Sequence, residues 1–219
     1  FRHNEQSQRV VDLLEKDGQG LNLTWEVRDG IVAHSKPEED IFGKRRRKVA
    51  TIEGEICRIA DAIAYINHDV VDGIRAGIIT EDDLPLSAVI VLGRFHSQRI
   101  DTMVCDIIFN SWAATGSDTT TKPTIRMSYK VAEASNELRQ FLFERVYYVQ
   151  SAQQEAEKAR EVVRELYQYF VKHQDKLPPE YRLYSDETER RVVDYIAGMT
   201  DQYATRLAKE LSLIEDKAK

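Results

Sequence analysis

The sequence predicts an all-α fold, multi-helical with a long central helix, on three observations. Apolar residues recur at threes and fours along almost every segment. No alternating strand pattern survives beyond a few residues, and no internal repeat is present. Helix stops and starts such as Gly18, Pro85, Pro178-Pro179 and Ser185 fall between the periodic stretches.

Taken in order, Asn4 is placed to cap a first helix, whose apolar positions Val10, Val11, Leu13 and Leu14 precede Gly18. A second, short helix is expected from about Leu23 to Val32. The charged stretch Lys36 to Lys48 then breaks the pattern. From Ile52, the positions Ile56, Ile59, Ala60, Ile63, Ile66, Val70 and Ile74 predict a long, largely buried helix ending near Gly77. After Pro85 come a short helix, Leu86 to Leu92, and a longer one, Ser97 to Ala114, carrying Ile100, Val104, Ile107, Ile108 and Trp112. The Ser- and Thr-rich run Gly116 to Pro123 is a loop. Ser128 to Ser151 and Ala152 to His173 read as two helices or one bent helix, with Leu138, Phe141, Leu142 and Val146 turned inward. Ser185, followed by acidic residues, is an N-cap signal for helices from about Asp186 to Ile196 and Thr200 to Ile214.

The 219 residues carry 31 Lys plus Arg against 37 Asp plus Glu, a formal net charge of -6, with 42% hydrophobic and 31% charged residues. This balance excludes collagen-like, low-complexity and disordered classes and describes one ordinary globular domain. It also argues against a general nucleic-acid coat, although a local basic cluster can still hold an anionic substrate. No apolar run reaches the roughly 20 residues that span a bilayer, and no signal peptide opens the chain, so a cytoplasmic address with no membrane partner is expected. The two cysteines, Cys57 and Cys105, form no CxxC and sit in apolar helical patterns, which reads as buried thiols in a reducing compartment. The chain opens on Phe1 with no Met, as expected of a piece of a longer protein.

Chemistry concentrates on the central helix. Asp61, Tyr65, Asp69 and Asp72, spaced by four, four and three, lie along one side of it, beside the apolar stripe. Carboxylates next to a buried face need cations, hydrogen bonds or a metal to stay ionised. The plain alternative is a solvated acidic edge with Tyr65 as a core aromatic. His68 is seven residues from Asp61, about 10 Å along the helix, so one metal does not bind both. A metal on Asp61 needs ligands from other segments. His3, His34, His68, His96 and His173 are the five histidines, and a lone helical histidine is more often structural or exposed than a ligand.

The segments Ala60-Asp61-Ala62-Ile63-Ala64-Tyr65-Ile66-Asn67-His68-Asp69 and Asp194-Tyr195-Ile196-Ala197-Gly198-Met199-Thr200-Asp201 resemble the bacterial dGTPase-like branch of the HD superfamily. These are deoxynucleoside triphosphate triphosphohydrolases. His3-Asn4-Glu5-Gln6-Ser7, Gly20-Leu21-Asn22-Leu23-Thr24 and Phe141-Leu142-Phe143-Glu144-Arg145-Val146-Tyr147 support the match, which runs the whole chain in order.

The resemblance implies an HD-domain helical fold, with residues 1–125 as the C-terminal portion of the catalytic core. Residues 126–219 would be a C-terminal helical region that completes the pocket and makes oligomer contacts, the two forming one continuous domain. It implies a divalent metal (Mg, Mn or similar) held by two His and two Asp. Asp61 matches the last ligand, and the His-Asp dyad lies upstream of the matched region. His68-Asp69 spells that dyad in a different place.

By the same resemblance, Tyr65 lies against the deoxyribose where a 2′-hydroxyl would collide, and Asp69 accepts from the sugar 3′-hydroxyl. His3 matches a catalytic histidine close to the scissile phosphate. Arg139 falls where a basic residue meets the triphosphate and Tyr147 where an aromatic approaches the nucleoside; their plain readings are a surface Arg and a core Tyr. Ala62 departs from the pattern, since relatives commonly carry a charged side chain there.

The implied reaction is metal-dependent hydrolysis of a dNTP, dGTP or another, to deoxynucleoside and inorganic triphosphate in the intact protein, with this chain alone inactive. The rival readings are a non-catalytic dNTP-sensing scaffold and an HD-type nucleotidase acting on monophosphates. The implied partners are the dNTP, copies of the chain in a homo-oligomer, and an allosteric nucleotide or single-stranded DNA. The basic run Lys44-Arg45-Arg46-Arg47-Lys48 reads as a solvated loop or as the anion site for such an effector. Val162 to Phe170 and Val192 to Met199 are candidate contact faces or core.

Overall fold

The computed structural model describes residues 2–34, 49–116, 123–148, 150–182, 185 and 187–214, and none of these is in a strand. The basic run 44–48 and most of the Ser- and Thr-rich loop lie outside the described residues. Helices α1 (His3–Arg9), α2 (Glu15–Gly18), α3 (Trp25–Ala33), α4 (Ile52–Arg75), α5 (Leu86–Leu92), α6 (His96–Asn110), α7 (Tyr129–Leu142), α8 (Gln150–Lys172), α9 (Thr188–Ala197) and α10 (Asp201–Glu210) follow in order. They fall into two units, Phe1–Arg9 with Asn22–Val149, and Val10–Leu21 with Gln150–Lys219.

In the first unit α4 is the axis. The Thr51 side chain caps it by accepting from the Gly54 N–H at 3.0 Å. Its inward residues Ile59, Ala62, Ile63, Ile66 and Val70 join Leu92, Met103, Leu138, Leu142 and Val146 in one core. Ile56, part of the same apolar pattern, is instead 49% exposed.

A polar clamp fixes α6 to α4. Arg99, nearly fully buried, donates from Nε to Asn67 Oδ1 at 3.0 Å, and the Asn67 amide donates to the Ile63 carbonyl at 2.8 Å. Arg99 also donates to the Arg94 carbonyl. Burying a cation without hydrogen bonds is costly, so these bonds keep Arg99 inside.

Two expected caps serve other ends. Asn4 lies within α1 and donates from Nδ2 to the Val32 carbonyl at 2.8 Å, tying α1 to the last turn of α3. Ser185 lies three residues before the start of α9: Glu187 holds the N-cap position, and the Ser185 hydroxyl accepts from the Glu187 N–H. The cysteines are free, with Cys57 exposed and Cys105 half-buried, so neither is the buried thiol that its apolar neighbours suggest.

Toward its C-terminal end α7 widens into a π turn, Phe143–Tyr147, where hydrogen bonds reach five residues rather than four. The second unit packs α8 against α9 and α10 around Leu166, Phe170, Leu177, Val192, Ala204 and Ala208. Leu166, Phe170 and Val192 are thus core. Among the described residues no helix is long and apolar enough to cross a membrane.

Candidate active site

The side of α4 beside its buried stripe carries the predicted residues. Asp61 is exposed, Tyr65 is 55% exposed and Asp69 is half-buried. Tyr65 is therefore not a core aromatic. Across from Asp69, the π turn of the α7 segment brings in Tyr147, whose hydroxyl donates to Asp69 Oδ2. The Tyr65 and Tyr147 rings lie 6.4 Å apart, tilted by 43°.

Burial pushes the Asp69 carboxyl above the usual carboxylate range. Hydrogen bonds from Tyr147 and Tyr65 offset part of this, Asp72 adds to the rise and His68 opposes it. The Tyr147 hydroxyl is pushed up in turn, first by burial and then by its bond to Asp69. It is a fixed donor.

Arg139 stands one further step along the same segment. Its guanidinium lies over the Phe143 ring at 5.1 Å, and Phe143 meets Tyr147 edge-on at 5.0 Å. Arg139, Phe143, Tyr147 and Asp69 thus form a continuous line of contacts. Phe143 is the member that sequence reasoning missed; its signal was its place four residues from both Arg139 and Tyr147. Arg139 also borders an open groove of about 870 Å³ between α5 and α7, with Lys130, Glu133 and Glu137.

The structure does not join the other predicted residues to this line by any described contact. Asp61 lies eight residues before Asp69, about 12 Å along the helix axis. His3, at the start of α1, is exposed, with its ring 5.3 Å from that of His34. His68 stacks on His96 at 5.9 Å. Among the described residues no group of three or more His, Cys, Asp or Glu is arranged to hold a metal ion. Asp61 alone does not fit a divalent ion, which needs several ligands.

The phosphohydrolase-associated domain matches residues 125–210. The chain is 47% identical over 215 residues to a deoxyguanosinetriphosphate triphosphohydrolase-like protein of Caldanaerobacter subterraneus, covering 97% of this chain and 58% of that protein. It is 42% identical over 207 residues to a protein of that name from Clostridium perfringens, covering 94% and 58%. A third, from Thiobacillus denitrificans, is 34% identical over 254 residues, covering 99% of this chain and 67% of the relative. The chain belongs to the dGTP triphosphohydrolase-like HD family. It spans 58% of the length of the first two of these curated relatives. Within this dGTPase-like chain, the domain match takes in Arg139, Phe143 and Tyr147, while Asp61, Tyr65 and Asp69 lie before it.

Proposed function

We propose that the whole protein hydrolyses a deoxynucleoside triphosphate to the deoxynucleoside and inorganic triphosphate. The observation that carries this reading is the Tyr147–Asp69 hydrogen bond, with Tyr65 beside it on the Asp61 side of α4. A carboxylate offers about four acceptor positions, so Asp69 oriented by Tyr147 retains capacity for a sugar 3′-hydroxyl. An analogue lacking that hydroxyl leaves a half-buried acceptor unpaired, costing about 1–3 kcal/mol. The Tyr65 ring supplies a wall for the deoxyribose. Arg139 provides a fixed positive charge for the triphosphate, and its contact with Phe143 restrains its direction.

His3 serves as the proton-transfer group beside the scissile phosphate. In the whole protein, Asp61 contributes one ligand to a divalent metal, with the remaining ligands from outside this chain. Assembly into a homo-oligomer, and binding of an effector nucleotide or single-stranded DNA at Lys44–Lys48, belong to the same proposal. Replacing those five charges with Ser is expected to abolish effector response without affecting basal turnover.

Product analysis tests the reading. The whole protein, given dGTP and the other dNTPs with Mg or Mn, is expected to release inorganic triphosphate. Orthophosphate released from monophosphates would identify a nucleotidase instead, and tight dNTP binding with no product would identify a sensing scaffold. Asp61→Ala is expected to abolish metal retention and turnover. Asp72→Ala, whose carboxylate is exposed and 3.7 Å from Arg75, should leave both intact. Normal metal content in Asp61→Ala would overturn the ligand assignment.

A further inference from the structure

Two histidines meet where α1 joins α3. His34 follows the last residue of α3, and its Nδ1 lies 2.6 Å from the Ile31 carbonyl. A carbonyl oxygen only accepts, so Nδ1 carries the proton and satisfies one of the carbonyls that a helix end leaves open. In the neutral ring, Nε2 is then a bare acceptor. The Asn4–Val32 bond fixes α1 at this end of α3. The His3 ring consequently rests against that of His34, with centroids 5.3 Å apart and planes tilted by 57°.

No hydrogen bond joins the two rings, and no described residue occupies His34 Nε2. Among the described residues, the other charged groups nearby have their own partners or stand further along their elements. Arg2 pairs with Glu5 on α1, Asp29 of α3 accepts from the Ala50 N–H, and Glu26 and Glu53 border the adjoining cavity with His34.

We propose that His34 is a positioning residue for His3, meeting its ring with an acceptor nitrogen and so fixing which His3 nitrogen keeps its proton and which faces the reacting phosphate. This rests on the reading of His3 as the proton-transfer group. Catalytic hydrogen bonds are often open in the unliganded protein and tighten around substrate, so contact without a bond is the expected resting arrangement. The capping bond to Ile31 gives His34 its direction, and the tether through Asn4 gives His3 its place.

The test uses His34→Asn in the whole protein. The Asn side-chain amide keeps a donor for the Ile31 carbonyl but has nothing in the place of Nε2, which separates capping from positioning. The expected result is a kcat lowered about tenfold or more with KM within about twofold and an unchanged melting temperature. Combined with His3→Ala, the substitution should add no further loss. Nitrogen-15 spectra of the wild-type protein should show the His34 ring protonated at Nδ1 and bare at Nε2, a readout that needs no variant to fold. Wild-type kcat in His34→Asn, a loss that adds fully to that of His3→Ala, or the opposite tautomer would each overturn the proposal. Wild-type kcat in His3→Ala would overturn the reading of His3 and the proposal with it, whereas a normal His34→Asn leaves that reading standing.

Discussion

Asp69 holds its proton more tightly than an ordinary aspartate because folding buries it, and this has a definite sign in stability. With the folded pKa raised above the unfolded one, the group favours the native state most at pH below the unfolded value, about 4. That advantage is lost as pH rises through the folded value. Asp69→Asn keeps an acceptor for Tyr147 and removes this slope. In urea titrations the variant should therefore gain on the wild type as pH is raised from acid to neutral; a difference that stays constant with pH would contradict the perturbed carboxyl. Tyr147→Phe takes away the donor and is expected to cost about 1–2 kcal/mol in the same titrations. The spacing of Asp61, Tyr65 and Asp69 made their shared side of one helix legible in the sequence. The partner of Asp69 lies 78 residues away, a pairing that no local pattern encodes. Cys57 and Cys105 show the converse: apolar neighbours identify a helix, but the angular phase of each position decides what is buried.

At the scale of the element, the close crossing of α3 and α4 gives two glycines opposite expectations. A Cβ on Gly54 would sit 2.5 Å from Val49 Cγ1 and 3.0 Å from Thr51 Oγ1, whereas one on Gly30 would meet only the Gly54 Cα at 3.8 Å. Gly54→Ala is thus expected to cost about 1–3 kcal/mol by displacing Val49 and the cap. Gly30→Ala should gain about 0.5–1 kcal/mol from helix propensity. Thermal melts of the two variants should shift in opposite directions. The existence and order of the helices were readable because their apolar periods are long. The π turn at Phe143–Tyr147 was not, since a single wider turn leaves the apolar spacing of Leu138, Leu142 and Val146 nearly unchanged. Asn4 was misread as a cap because the carbonyl it binds lies 28 residues ahead.

For the whole molecule, membership in the dGTPase-like family and the lack of a metal-holding group among the described residues together set an expectation for the isolated 219-residue chain. Incubated with dNTPs and Mg or Mn, it should release no inorganic triphosphate, and robust release would show that Asp61 is not one ligand of a larger set. Stability can be probed separately in the second unit, where Leu166 is fully buried. Leu166→Ala is expected to cost about 2–5 kcal/mol, seen as a lowered unfolding midpoint. That unit also joins Val10–Leu21 to residues from Gln150 onward. During synthesis, Leu21 is made 129 residues ahead of Gln150, where the rest of that unit begins. At about 5–20 residues per second, roughly 6–26 s pass before the rest of its unit starts to be made.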